Sequence, residues 1–201
     1  AHLLSIPREE SITSGPTEQI RPVRVLARRD VADEVVELEL GAVEPGAVLP
    51  DWEPGAHIDL RLGADLIRQY SLVPSASGSG TWTVAVLIEE GGRGGSRLIA
   101  RDLHVGKVVD TSGPRNHFSF VKGDSYLLIG GGIGITPLIA MARAAEAAGA
   151  TWRLAYLGRD RSTMAYLDEI EAEFAGHIDV HVSGEGSRFD VESAIAALPG
   201  G

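Results

Sequence analysis

From Val23 onward, apolar and polar positions alternate. Val36, Leu38 and Leu40 are interleaved with Glu37 and Glu39, and Ile58, Leu60 and Leu62 with Asp59 and Arg61. Val84, Val86 and Ile88 repeat the pattern after the Gly/Ser-rich stretch 75–80. A period of two is that of a strand with one buried face. Short strands of this kind, punctuated by Gly and Pro, predict a β-barrel or sandwich over residues 21–122. Near Val121–Asp124 the pattern changes. Tyr126–Ile129 reads as a compact strand, Gly130–Gly134 as a glycine turn, and Thr136–Ala148 as an Ala-rich helix stopped by Gly149. Trp152–Leu157 reads as a strand and Met164–Phe174 as a helix with Ser162 or Thr163 as its cap. A strand at Ile178–Val182 and a short helix at Val191–Leu198 follow. Strands alternating with helices predict a parallel sheet of the nucleotide-binding kind over residues 123–201. That unit reads as incomplete, because a further strand is expected after Gly200–Gly201. Residues 1–20 show no sustained period and read as a linker or tail.

Composition narrows the functional classes. With 18 Lys plus Arg against 28 Asp plus Glu, the net charge is −10. Such a chain is a poor partner for nucleic acid, whose phosphates require clustered cations, or for an anionic membrane. No apolar run is long enough to suggest a membrane span. No export signal is visible, so the expected location is cytoplasmic. The chain does not begin with Met, which suggests a piece of a longer protein. Cysteine is absent, and with it disulfides, thiolate metal sites, cysteine nucleophiles and iron–sulfur ligation within these residues.

Three local patterns carry candidate chemistry. Ser125–Ile129 followed by Gly130–Gly134 and Thr136-Pro137 is strand, glycine turn and helix start, which brings backbone N–H groups and the helix dipole to a phosphate. It departs from the dinucleotide fingerprint, since no glycine completes GxGxxG after Gly132-x-Gly134. On a barrel strand, alternation puts Arg68, Tyr70 and Leu72 on one face and Gln69 and Ser71 on the other. An aromatic ring there could cover a flat cofactor, and an arginine could fork onto a phosphate. Gly91-Gly-Arg-Gly-Gly-Ser96, ahead of a helical stretch at Arg97–Leu103, is a second anion cradle. Taken singly, each can also be read as an ordinary turn, loop or edge strand. His177 and His181 have the spacing of a helical metal pair but lie on a strand pattern, so no metal site is expected. The run Glu169, Glu171, Glu173 reads as a solvated helix face.

Together, Arg68-Gln-Tyr-Ser-Leu72, Gly92-Arg-Gly-Gly-Ser96 and Gly131-Gly-Ile-Gly-Ile-Thr-Pro137 resemble, in order and spacing, the phthalate dioxygenase reductase family, which includes the vanillate demethylase reductases, within the ferredoxin–NADP reductase superfamily. The resemblance covers residues 21–198. It implies a Greek-key flavin barrel followed by a nicotinamide-binding α/β domain, and a hydride passed from NADH or NADPH to FMN, then single electrons to an iron–sulfur centre serving an oxygenase. On this likeness Arg68 binds flavin phosphate, Tyr70 packs on the flavin, Ser71 lies near N5, and Gln69 fills the variable position of the motif. Val86 and Leu87 match the segment that reads the flavin pyrimidine edge. Arg93, Gly94, Gly95 and Ser96 match a phosphate loop that closes on FMN. Gly132, Gly134 and Thr136 match the turn beneath nicotinamide and pyrophosphate, and Arg159 and Asp160 match positions near the adenosine end. Ser71 and Thr136 are the catalytic candidates. Family members continue into a plant-type 2Fe–2S domain, which here is missing or separate, and similar modules follow haem domains in self-sufficient cytochrome P450 fusions. Arg159 and Arg161 leave room for a 2′-phosphate, against a family-level preference for NADH. The alternatives are an FAD-dependent ferredoxin reductase-like enzyme and a non-catalytic flavin-binding module.

Overall fold

The computed structural model describes residues 19–89, 91–92 and 94–196. Six strands form a closed antiparallel barrel: β1 (Ile20–Ala32), β2 (Val35–Ala42), β3 (Ala56–Arg61), β4 (Ile67–Val73), β5 (Trp82–Leu87) and β6 (Val108–Asn116), in the order β1-β2-β5-β4-β3-β6. The alternating residues explain the closure. Val23, Val25, Leu38, Leu40, Ile58, Leu60, Leu72, Val84 and Val86 point inward and are fully or almost fully buried. The long β1 is shared between β2 and β6, and its register on β2 shifts between Val25 and Ala27 and again between Asp30 and Ala32. Such bulges bend a strand around a barrel. Trp82 fills the interior and donates its indole N–H to the Pro50 carbonyl at 2.9 Å.

Between β5 and β6 lies helix α1 (Gly95–Asp102). It starts two residues before the expected Arg97. Gly94, at φ 86°, immediately precedes the helix and Gly95 is already helical. This left-handed turn suits a residue without a Cβ.

After the barrel come β7 (Ser125–Gly131), a 3-10 turn (Gly132–Ile135), α2 (Thr136–Ala147), β8 (Thr151–Gly158), α3 (Leu167–Glu173), β9 (Ile178–Val182) and α4 (Val191–Ala196). The strands pair in parallel as β7-β8-β9, which matches the alternation of apolar runs and helical stretches in the sequence. The expected end of the last helix, at Leu198, lies outside the described residues.

Helix α3 differs from the sequence reading. It begins at Leu167 rather than Met164, and its N-cap is Tyr166 at φ 60° with no side-chain cap. Ser162 and Thr163 lie in a preceding 3-10 turn (Arg161–Thr163), and the Thr163 hydroxyl donates to the Asp160 carbonyl instead. The delay places Met164 and Tyr166 in the core, each at most 5% exposed. Glu169, Glu171 and Glu173 are exposed but paired, with Arg29, Arg161 and Arg143 respectively.

The barrel and the sheet share one hydrophobic cluster. Val35, Val73 and Ala85 from the outer barrel wall pack with Ile135, Leu138, Ile139 and Met141 at the start of α2. Two backbone bonds cross the same seam: Asp33 N–H donates to Ser162 O at 2.7 Å, and Tyr166 N–H donates to Val31 O at 3.2 Å.

Candidate functional site

At the seam lies a cavity of about 450 Å³, of the size that takes a small-molecule ligand. The strand β4 supplies Arg68, Gln69, Tyr70 and Ser71, and β5 supplies Ala85 and Leu87. Glu89 follows β5, Gly95 and Ser96 open α1, and Ile133, Gly134, Thr136 and Pro137 come from the glycine turn and α2. The pairing of β4 with β5 explains the opening. Their ladder covers only Leu72↔Val84 and Val73↔Thr83, so the two strands diverge toward Arg68 and Leu87. This corrects the simple alternation on β4. Leu72 does point into the barrel, but all four residues Arg68–Ser71 border the cavity, because divergence exposes both faces of the strand there.

Each group has a definite setting. Tyr70 is half-buried against the barrel core, and burial pushes its phenol up to about 12, with Arg68 opposing and Glu89 adding to the effect. Its ring therefore stays neutral in ordinary conditions. Arg68 donates to the carbonyl of Ile67 at 2.8 Å and lies along the start of α1, where a Cβ on Gly95 would come within 2.9 Å of its Cγ and Nε. The first turn of α1 has no side-chain cap, so its N–H groups and Arg68 together offer an anion site. Ser96 Oγ accepts the Glu89 N–H at 3.1 Å and so closes the loop on the cavity rim. Arg93 lies outside the described residues. Val86 has its side chain wholly inside the barrel, so only its backbone is in a position to meet a ligand, while Ala85 and Leu87 border the cavity.

Across the cavity, the α2 side is built by the turn. Gly132 has φ 52°, and Thr136 is buried with its hydroxyl donating to Ile133 O at 3.0 Å. That hydroxyl holds the turn together, and Thr136, a catalytic candidate from sequence, borders the cavity. Opposite Ser71 on β3 stands His57, whose Nε2 is buried without a partner. Burial, then the neighbouring His117, hold His57 below its ordinary range. Asp59, next along that face, is paired with Arg115 at 2.6 Å.

A second cavity, of about 620 Å³, lies at the carboxyl ends of β7, β8 and β9. It takes in Gly132, Leu157–Arg159, His181 and the segment after β9, including Ser187, Arg188 and Phe189. Gly132 borders this cavity while Ile133 and Gly134 border the first, so the glycine turn lies between the two. Arg159 borders this cavity and Asp160 does not. Ile133 and Pro137 lie within the Gly131–Pro137 motif but carry no assigned role there, and Glu89 and Arg188 lie in no motif. His177 stacks on Trp152 with centroids 4.5 Å apart, and His181 Nδ1 lies 3.0 Å from Ser187 Oγ.

Residues 22–120 match the family model of the oxidoreductase FAD-binding domain. Over 85% of the chain it is 38% identical to the phenoxybenzoate dioxygenase subunit beta of Ectopseudomonas oleovorans. Among solved structures, phthalate dioxygenase reductase superposes with a TM-score of 0.82 at 31% identity, covering 90% of this chain and 58% of that one. The chain belongs to the phthalate dioxygenase reductase family. An intact type IV self-sufficient cytochrome P450 monooxygenase matches this family member as well, with a TM-score of 0.84 at 39% identity over 90% of this chain and 24% of the fusion. The chain spans about half the length of the curated relatives it matches, 53% for the phenoxybenzoate protein.

Proposed function

We propose that this chain is the flavin- and pyridine-nucleotide-binding part of an oxygenase reductase, with residues 21–122 as the flavin unit and 123–201 as the nicotinamide unit. A single observation carries the reading: one cavity is bordered both by the Arg68–Ser71 strand with the open end of α1 and by the glycine turn of α2. The residues fit a flavin mononucleotide. Tyr70, Leu87 and Ile133 offer an aromatic and apolar wall for a flat ring, and Arg68 with the α1 N–H groups, joined by Arg93 on the family likeness, offer an anion site for its phosphate.

When bound, the flavin accepts a hydride from NADH or NADPH and passes single electrons to an iron–sulfur centre. The chain's own residues bind, orient and shield. Ser71 presents a hydroxyl beside the ring edge, where a hydrogen bond would tune N5. Gln69 and the backbone of Val86–Leu87 would hold the polar margin of the ring. Gly132 and Gly134 let the dinucleotide come close to the backbone, and Thr136 fixes the shape of that turn. Arg159 borders the adenosine end, while Asp160 turns toward the Gly184 loop. The partner on this reading would be a 2Fe–2S domain or protein serving a terminal oxygenase, of which a fused cytochrome P450 haem domain is one form.

A second reading, that the flavin is FAD, is favoured by the family model, which is that of an FAD-binding domain. Chromatography of the released flavin against FMN and FAD standards decides between them. The decisive experiment for the reductase itself is anaerobic mixing of flavin-loaded protein with NADH and with NADPH. Bleaching of the flavin bands is the expected result. An unchanged spectrum with both would reduce the chain to a non-catalytic flavin-binding module.

A further inference from the structure

The second cavity is lined by two arginines, Arg159 and Arg188. We infer that it is a 2′-phosphate site, with Arg159 and Arg188 as its cationic ligands, and that it makes this protein selective for NADPH. This rests on the reading of the chain as a pyridine-nucleotide reductase, and the position is the one where parallel-sheet folds bind nucleotides, outside the carboxyl ends of the strands.

The charges on the wall carry the argument. Folds of this kind hold the ribose diol of NADH with a carboxylate beyond the end of the second strand. Here the wall beyond β8 has Arg159, and the cavity lining includes two arginines and no carboxylate. Asp160 is the one nearby acid in sequence, but it is turned toward the neighbouring loop: its Oδ1 lies 2.9 Å from where a Cβ on Gly184 would be, and it does not border the cavity. Arg161, a candidate from sequence, is ruled out by its own partners, Glu185 at 3.1 Å and Glu171 at 3.7 Å. Arg159 has only a loose contact with Asp160 at 3.9 Å, and its side chain is 88% exposed. Arg188 makes no ion pair among the described residues.

The two arginines come from different segments, yet the backbone ties those segments together. Gly184 N–H donates to Arg159 O at 2.8 Å, and Ser187 N–H donates to Val182 O at 3.2 Å. A side chain at Gly184 would meet the Arg159 carbonyl at 2.7 Å, so this close approach needs glycine. His181 Nδ1 pairs with Ser187 Oγ and its ring packs on Phe189 at 5.0 Å, which provides an aromatic floor beside the arginines for an adenine. A phosphomonoester dianion between two guanidinium groups gains charge-assisted, fork-like hydrogen bonds that a free ribose hydroxyl cannot match.

The test uses flavin-loaded full-length protein and two probes, 2′,5′-ADP and 5′-ADP, titrated by calorimetry. The expected result is about tenfold or tighter binding of 2′,5′-ADP, with the preference lost in Arg188→Ala and in Arg159→Ala and kept in Arg161→Ala. Equal binding, tighter binding of 5′-ADP, or a preference that survives the Arg159→Ala/Arg188→Ala double substitution overturns the inference. Anaerobic bleaching by NADH and NADPH is measured alongside. Equal bleaching by both with no 2′,5′-ADP preference sinks the phosphate site and leaves the reductase reading intact. A strong, arginine-dependent 2′,5′-ADP preference without any bleaching does the reverse.

Discussion

At the scale of single residues, Ser71 is the one whose chemistry is most exposed to test. It borders the seam cavity beside Arg68, Gln69 and Tyr70, outside the packed core of the barrel, so its hydroxyl adds little to the barrel. Ser71→Ala is expected to slow anaerobic flavin reduction in stopped flow while leaving flavin affinity nearly unchanged; equal rates in both proteins would remove the assignment. The tyrosines give a second test. Tyr70 is pushed up to about 12 and Tyr156 and Tyr166 are raised further, all chiefly by burial. Their phenols are neutral in the fold at pH values where the unfolded chain, with phenols near 10, has begun to ionise. The unfolded state then holds fewer protons, so stability is unaffected below about pH 10 and falls as pH rises beyond it. An ultraviolet phenolate titration should show three of the four tyrosines ionising late, and denaturation midpoints should drop over the same interval. Arg68, Tyr70 and Ser71 were legible in the sequence because they sit together on one strand in a specific order. Glu89 and Arg188 were not, because loops bring them to the cavities and no period marks a loop.

At the scale of elements, the strands were legible and the helix starts less so. Period-two alternation is a direct print of one-sided burial, so β2, β3 and β5 fall where their apolar residues alternate. Helix α3 escaped because Ser162 and Thr163 look like caps locally, whereas burial of Met164 and Tyr166 decides where the helix begins. The same packing makes Gly158 intolerant of a side chain. A Cβ there would come within 2.4 Å of Met164 Cγ and Sδ, and Met164 is 2% exposed. Gly158→Ala is therefore expected to cost about 1–3 kcal/mol, as overpacked cores do. A chemical denaturation midpoint matching that of the parent protein would show that Met164 has room to move. The divergence of β4 from β5, which creates the seam cavity, had no sequence signal at all: both strands alternate normally, and only their register reveals the split.

At the scale of the whole molecule, the two lobes are joined by a shared core as well as by the chain. Leu138 is 5% exposed and belongs to the cluster that takes in Val35, Val73 and Ala85 from the barrel. Leu138→Ala is expected to destabilise by about 2–5 kcal/mol and to lower the unfolding of both lobes together. Flavin release and loss of helical circular dichroism should follow one transition; two separated transitions would mean that the lobes stand alone. The Arg29 bridge to Glu37 and Glu169 spans the same seam, but it is partly solvated, so high salt should barely shift the midpoint. The backbone bonds from Asp33 to Ser162 and from Tyr166 to Val31 act differently, because main-chain atoms cannot swing aside as side chains do. A joint stitched in this way resists opening, since any separation of the lobes must break main-chain hydrogen bonds as well as the shared core. On the proposed reading, the spacing between reductant and ring is then set when the protein folds.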